Sequence, residues 1–222
     1  TTFAPQRPIV FVAFTGEEAG LLGSEQFVQS PPRPFTTEQI YAMVNLDGVG
    51  RLERRKLQVF ATNSAYEWPF MAQGIGFTIG LQSEFPTQTI ASSDHVPFLN
   101  AGIPAIHLFA GVTPDYHQTS DTADKLDYAG MSSIALWVEE SLVYLADNTN
   151  PLRVTLGAEP VIVQPSPGSR EASLGTVPDF GFEGPGVRIS AATPGGAAAE
   201  AGMQAGDVLT SFNGVPIEDL QA

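Results

Sequence analysis

Short apolar runs alternate with amphipathic stretches along the first two thirds of the chain. The run PIVFVAF over 8–14 is typical of a fully buried strand, because it is short, β-branched and aromatic and opens with a proline. The predicted strands span 8–14, 40–46, 57–60 and 103–109, and the predicted helices span 21–28, 67–74 and 128–147. Buried strands that alternate with helices predict an α/β fold, a three-layer sandwich with a mostly parallel mixed sheet.

The sequence changes character after residue 150. Four prolines between 151 and 167 indicate an extended linker. The glycine-rich block that follows has strand patterns at 186–191 and 207–212, around a short helix near 197–201 that ends at a glycine. We therefore predict three parts: a first domain over 1–150, a proline-rich linker over 151–172, and a small β-rich domain over 173–222.

The charged residues make the chain strongly acidic, with 10 Lys and Arg against 24 Asp and Glu and a net charge of −14. Such a surface repels polyanions, so the sequence predicts no binding to nucleic acid. The basic cluster RLERRK over 51–56 is short and interrupted by Glu53. We interpret it as the solvated face of a hairpin.

The chain contains no cysteine, which excludes disulfide scaffolds, thiol nucleophiles and cysteine-type zinc sites. Its apolar runs are far shorter than the roughly 20 residues of a membrane span, so no span is predicted. The first residues lack the basic and apolar regions of a signal peptide. An acidic surface without cysteine suits a secreted or periplasmic protein, and we predict that location, with the signal peptide not in this chain.

Side chains that suit metal binding or acid–base chemistry follow three of the predicted strands. Glu17 and Glu18 come after the first strand, and Asp47 comes after the second. Tyr116 and His117 lie in the loop after the last strand. Ligands in open α/β sheets bind where strands deliver residues at their carboxyl ends. Two adjacent carboxylates repel each other, and a hard cation removes that cost while one carboxylate serves as a general base.

Each of these residues taken alone has a structural explanation. Glu17 and Glu18 suit a helix N-terminus, where acidic side chains complement the helix dipole. An Asp-Gly pair such as the one at Asp47 is typical of a turn, and a lone loop histidine such as His117 is usually solvated. His107 lies inside an apolar strand and is interpreted as a core histidine with satisfied hydrogen bonds.

Four stretches taken together resemble a known family. They are FTGEEAGLLGSEQFV (14–28), VNLDGVGR (44–51), SSDHVPFLNAGIPAIHLF (92–109) and DYHQTSDTADKLD (115–127). In this order and at this spacing, they resemble the M28 family of zinc aminopeptidases over residues 8–147. The resemblance implies that family's fold, two zinc ions per complete site, and peptides as substrates.

Carried over by position, the resemblance implies a role for each matched side chain. The roles are Glu17 as general base, Glu18 and His117 as ligands of one zinc, Asp47 as a ligand of the other zinc, Tyr116 as the hydroxyl that steadies the oxyanion, and Asp94 as a carboxylate that hydrogen-bonds around the site. In that chemistry the zinc ions polarise the scissile carbonyl and lower the pKa of a bridging water. The general base takes the water's proton and returns it to the leaving amine. The substrate's free α-amine binds at the metals, which makes the reaction an exopeptidase one.

One part of the family pattern has no counterpart in this sequence. The family also uses a His-x-Asp motif, which provides one histidine ligand and the carboxylate that bridges both metals. None of the three histidines here is followed by such an aspartate. The chain therefore holds three of the five ligands that the resemblance implies. Either the other two come from a segment outside this chain, or the fragment is inactive alone.

The C-terminal block resembles a PDZ domain of the bacterial protease type. The resemblance is carried by GVRI at 186–189, AEAGMQAGDVL at 199–209 and the Asn-Gly pair at 213–214. It implies that Leu174, Gly175 and Thr176 belong to a loop whose backbone N–H groups capture a peptide C-terminus. The alternative is a small β-rich accessory that binds no ligand. The block ends before the last strand and helix of such a domain, so we expect a partial PDZ.

Two other functions remain open at this stage. One is a non-catalytic peptide-binding protein that combines the PDZ-like block with a degenerate peptidase shell. The other is an acyltransferase similar to glutaminyl cyclases, which share the fold but use a single zinc. The lack of a His-x-Asp motif favours the first alternative for this chain, whereas the retained acidic residues, tyrosine and histidine argue against it.

Overall fold

The computed structural model describes residues 5–86, 93–156, 174–179, 182 and 184–218. Its helices are α1 (Leu22–Gln29), α2 (Trp68–Ile79), α3 (Val96–Asn100), α4 (Tyr128–Asp147) and α5 (Ala197–Glu200). Its strands are β1 (Met43–Leu46), β2 (Leu57–Phe60), β3 (Ser83–Glu84), β4 (Ala105–Phe109), β5 (Thr176–Pro178), β6 (Val187–Ala192), β7 (Val208–Leu209), β8 (Ser211–Phe212) and β9 (Val215–Pro216). Across these described ranges, no helix is both long and apolar enough to cross a membrane.

The N-terminal part is built on a four-stranded sheet in the order β1-β4-β2-β3. β1 runs parallel to β4, with Met43 opposite Ala105 and Leu46 opposite Leu108. β2 is antiparallel to β4 and parallel to β3. The sheet is therefore mixed and mostly parallel, which confirms the prediction. Because β1 and β4 are parallel neighbours, their carboxyl ends open at the same edge of the sheet.

Helices cover both faces of this sheet. On one face, Ile106 and Leu108 of β4 pack in the main core with Trp68 of α2 and Trp137 of α4. Side chains alternate along a strand, so Ala105 points to the opposite face. There it belongs to a second cluster, which contains Val28 of α1 and Phe98 and Leu99 of α3. The predicted three-layer α/β sandwich is thus confirmed.

The segment 8–14 is not the buried strand that the sequence predicts. Val10, Phe11 and Val12 are 49%, 82% and 43% exposed. Over the described residues, no strand of the sheet pairs with this segment. A strand needs a neighbour for its backbone N–H and C=O groups as well as apolar side chains. The prediction was wrong because the sequence pattern shows the apolar side chains but does not show whether a partner strand is present.

The described C-terminal residues form a small β-rich unit, as predicted. β6 pairs antiparallel with both β5 and β7, and β8 pairs antiparallel with β9. The predicted strand at 207–212 is divided into β7 and β8, which flank Thr210. The predicted linker at 151–172 lies largely outside the described residues. The bounds of the three predicted parts therefore stay predictions.

Candidate active site

The ends of β1 and β4 bring Asp47 to the carboxyl edge of the sheet. The Asp47 N–H donates to the carbonyl of Leu108 at 3.3 Å, and the Ala110 N–H donates to the carbonyl of Gly48 at 3.2 Å. These bonds continue the ladder between β1 and β4 beyond the strands themselves. The Asp47 backbone is therefore held by the sheet while its side chain is exposed.

A tight turn ahead of α1 presents Glu17 and Glu18. The N–H groups of Gly20 and Leu21 donate to the Glu17 carbonyl at 3.0 and 2.9 Å, which closes the turn on itself. Gly16, Gly20 and Leu21 all have positive φ, a conformation that favours glycine. Glu17 is half-buried and Glu18 is exposed. The turn thus places two adjacent carboxylates in different surroundings.

Tyr116 and His117 lie in the loop after β4 and complete the cluster. His117 Nε2 lies 2.9 Å from Glu18 Oε1. The two neighbouring rings stack, with centroids 4.0 Å apart and an interplanar angle of 16°. His117 has a φ of +56°, which is rare for a residue other than glycine. The structure therefore brings the loop after β4 against the turn ahead of α1.

The charges of several predicted site residues act on Glu17 and on Tyr116. Burial, followed by the charges of Glu18, Asp47 and Asp94, raises the pKa of Glu17 to about 7. Burial, followed by the charges of Asp47, Glu18 and Glu17, raises the pKa of Tyr116 to about 12. The Tyr116 phenol therefore carries its proton at neutral pH.

Several polar groups that the sequence did not single out support these carboxylates. The buried Ser24 hydroxyl donates to Asp94 Oδ1 at 2.6 Å. The buried Ser93 hydroxyl donates to Asp47 Oδ2 at 2.9 Å and accepts from the Asn45 side-chain amide at 2.8 Å. A polar residue within an apolar strand, as Asn45 is, was the available signal. Asp94 thus lies beside the site, held by a serine from α1.

His107 is a core histidine, as predicted. It is 2% exposed and stacks on His95 with ring centroids 4.9 Å apart. Its Nδ1 lies 3.1 Å from the Asn45 amide nitrogen, which acts as the donor. Complete burial lowers the pKa of His107 to about 3, so its ring is neutral. It therefore underlies the site and contributes no charge to it.

The interpretation of the basic cluster 51–56 as a solvated face is only half right. Arg54 and Lys56 are exposed, as expected. The Arg51 side chain is only 16% exposed and lies 3.4 Å from Asp115 and 3.1 Å from Asp121. These two aspartates belong to the loop after β4. The acidic loop folds over the cluster. This tertiary contact buries Arg51, which the sequence pattern predicts to be exposed to solvent.

The donor groups at this edge are of the kinds that bind zinc. Glu18 Oε1 and His117 Nε2 are 2.9 Å apart, which is a hydrogen-bond distance. In the ranges that the structure describes, no three His, Asp or Glu side chains are placed to hold one ion together. Glu18 and His117 therefore meet as two donor groups of types that zinc accepts, and Asp47 lies outside that pair.

Gly48 is the point at which an added methyl group would disturb this edge most. Its φ is +61°, and a Cβ would lie 2.4 Å from the Phe109 ring. We expect Gly48→Ala to destabilise the protein by about 2–4 kcal/mol, because overpacking adds to the left-handed backbone strain. Gly80→Ala is the control, since Gly80 has a φ of +74° and a Cβ there would meet nothing within 4 Å. Urea unfolding checks the difference, and equal losses would contradict it.

The predicted peptide-binding residues Leu174, Gly175 and Thr176 lie in the C-terminal unit. Thr176 begins β5 and is paired with Ala192 of β6. The carbonyls of Leu174 and Gly175 accept from the N–H groups of Ala198 and Thr193 at 2.8 and 2.7 Å. The loop is therefore fastened beside α5. Its role in binding a peptide stays a prediction.

Comparison with known proteins agrees with both resemblances. The family model for peptidase family M28 matches residues 1–141, and that for the PDZ domain matches residues 188–222. Leupeptin-inactivating enzyme 1 of Streptomyces exfoliatus is 32% identical over 121 residues, which are 54% of this chain and 26% of that protein. The chain spans about a quarter of the length of the curated relatives it matches.

Solved structures show the same fold. The LapA aminopeptidase of Legionella pneumophila superposes with a TM-score of 0.58 at 24% identity, over 68% of this chain and 42% of that one. BSAP, a zinc aminopeptidase from Bacillus subtilis, superposes with a TM-score of 0.52 at 23% identity, over 65% and 38%. The family model covers more than half of the 222 residues, and the chain therefore belongs to peptidase family M28.

Proposed function

We propose that the N-terminal part of this chain carries the catalytic side of a zinc-dependent aminopeptidase site. Glu17 is the general base, Glu18 and His117 hold one zinc, and Asp47 holds the neighbouring one. The observation that carries the proposal is the 2.9 Å approach of Glu18 and His117, two residues 99 positions apart. It brings a carboxylate and an imidazole together beside the half-buried Glu17, which lies next to Glu18 in sequence.

Each side chain of this site has a separate role in peptide-bond hydrolysis. Zinc held by these residues would supply Lewis acidity toward the scissile carbonyl. Glu17 accepts a proton from the attacking water and delivers it to the leaving amine. The Tyr116 hydroxyl donates a hydrogen bond to the carbonyl oxygen as that oxygen gains negative charge. Asp94, held by Ser24, keeps the surrounding hydrogen bonds in place.

The charge of the site favours a peptide N-terminus as the substrate group. Besides burial, the charges of Glu18, Asp47 and Asp94 all raise the pKa of Glu17, so the four carboxylates lie in one region. Such a concentration of carboxylates attracts a cationic α-ammonium group. We therefore propose peptides with a free amino terminus as substrates. The PDZ-like unit would add binding of a peptide C-terminus at Leu174–Thr176, and a secreted or periplasmic location remains part of the proposal.

Zinc binding by the 222-residue chain tests the proposal directly. We expect weak, substoichiometric binding after dialysis, because Glu18, Asp47 and His117 are three ligands divided between two metal positions. Elemental analysis and competition with a chromophoric chelator measure it. Two tightly held zinc ions per chain would contradict the ligand assignment.

A pair of variants locates the bound metal. We expect His117→Ala to abolish the residual zinc binding, since it leaves Glu18 without its partner. Glu25→Gln is the matched control, because Glu25 is exposed on α1 and accepts from Gln29 on the same helix. Equal zinc binding by the two variants would refute the metal site proposed here.

A further inference from the structure

The loop that carries Tyr116 and His117 is itself acidic. Asp115, Asp121 and Asp124 flank these two residues within ten positions. The loop lies against a site already rich in carboxylates, in a protein of net charge −14. Like charges at short range disfavour such an approach. Cations in contact with the loop must therefore offset the repulsion.

Arg51 bridges the loop at two points. Its guanidinium lies 3.4 Å from Asp115 Oδ2 and 3.1 Å from Asp121 Oδ1. Asp115 also accepts from the Ser120 hydroxyl and from Lys125 Nζ, each at 2.7 Å. The residue directly ahead of Tyr116 is thus the centre of a hydrogen-bond network that Arg51 anchors to the other side of the site.

Arg55 holds the beginning of the same loop. Its Nη1 donates to the carbonyl of Val112 at 2.8 Å, and its Nη2 donates to the carbonyl of Arg51. Gly111 leaves room for this contact, because a Cβ there would lie 2.9 Å from Arg55 Nη1. Burial lowers the pKa of Arg55. The two arginines therefore act together, one at each end of the segment before Tyr116.

The conformation of His117 shows why such an anchor is needed. Its φ of +56° is unfavourable for a residue with a side chain, so the surrounding structure must impose it. The neighbouring turn is closed by the Tyr116 N–H to the Thr113 carbonyl at 3.0 Å and the Gln118 N–H to the Asp115 carbonyl at 2.8 Å. Both bonds lie in the part of the loop that the arginines hold.

We propose that Arg51 and Arg55 are positioning residues that hold the loop of Tyr116 and His117 in its reactive geometry against Glu18. Both arginines follow Asp47 by fewer than ten residues, so one segment contains a metal-type carboxylate and also the two side chains that contact the loop of His117. The inference rests on the proposed function for the roles of Tyr116 and His117. The contacts that carry it do not involve the metal.

Proton NMR of the metal-free chain tests the positioning without recourse to activity. The sequence has three histidines, and two of them, His95 and His107, are buried. His117 stacks on Tyr116, so its ring protons are shifted by the aromatic ring current. In Arg51→Ala at one fixed pH, we expect the His117 signal to move towards that of a free histidine. The His95 and His107 signals should stay in place.

Metal affinity provides the second measurement. Removing an outer partner of a metal ligand typically weakens binding by about 10–100-fold, and we expect Arg51→Ala to weaken zinc binding about tenfold. Arg51→Lys should recover part of it, since lysine keeps the charge but cannot bridge two carboxylates as a planar fork does. Arg54→Ala is the matched control from the same cluster, because Arg54 is exposed.

The outcomes separate this inference from the proposed function. An unchanged His117 signal in Arg51→Ala, or an equal change in Arg54→Ala, overturns the positioning role. A wild-type chain that binds no zinc refutes the proposed function, while the His117 signal still decides the inference. If Arg51→Ala displaces all three histidine signals, the variant has lost its fold, and Arg51→Lys then decides the question through the same signals.

Discussion

Glu17→Gln is expected to remove most turnover while leaving bound zinc in place. The amide has nearly the shape of the carboxylate but cannot accept a proton from the attacking water. General-base catalysis is typically worth ~10²–10⁴-fold in rate, so a loss in that range is expected. Turnover of an aminoacyl amide and zinc content are measured on one preparation of the protein in which the His-x-Asp segment implied by the resemblance is also present.

Glu18→Gln is expected to lose activity through loss of bound zinc. Its side chain faces His117 at 2.9 Å and is the proposed metal ligand, so the substitution should lower zinc occupancy. Added zinc should then restore part of the activity. Glu25→Gln, at an exposed position of α1, should change neither quantity.

The two glutamates are neighbours of identical chemistry, which makes the comparison sharp. Loss of zinc in Glu17→Gln together with retention in Glu18→Gln would mean that the two roles are exchanged. Full activity in both variants would refute the peptidase function.

Trp137→Ala is expected to produce the largest loss of stability. Trp137 is fully buried in the main core, where α4 packs with α2 and the sheet. Truncation of a buried tryptophan typically costs about 3–5 kcal/mol through lost burial and the cavity left behind. For a protein of this size, that corresponds to a fall in melting temperature of about 6–20 °C.

The neighbouring Leu136 provides the control. It lies on the same helix but is 53% exposed, so Leu136→Ala should change stability by less than about 0.5 kcal/mol. Thermal unfolding followed by circular dichroism at 222 nm compares the two variants. A similar melting temperature for both would contradict the core described here.

The strands show how far a local pattern predicts the fold. The runs at 8–14 and 103–109 look alike in the sequence, since both are short, apolar and open near a proline. The second run contains β4, which lies between β1 and β2 and is buried throughout. The first run is exposed and has no partner strand in the described residues. Composition predicts that a segment can form a strand, whereas pairing depends on residues far away in the chain.

The site shows the same division. The sequence marked Glu17, Glu18, Asp47, Tyr116 and His117, because charged and aromatic side chains follow apolar runs and match a family pattern. The supporting residues were not marked. Ser93 reaches Asp47 across 46 positions, and Ser24 reaches Asp94 across 70. Hydrogen bonds of that span leave no trace in local sequence.

The sequence by itself determined the α/β class, the acidic surface, the two resemblances and the side chains proposed to carry the chemistry. The net charge is a sum over residue types, and the α/β class and the resemblances follow from local patterns and motifs in a fixed order. Only the tertiary structure decided which of two similar apolar runs became a strand, and that Arg51 leaves solvent for Asp115 and Asp121. Burial, pairing and pKa shifts depend on distances between residues remote in sequence, and only chain folding sets those distances.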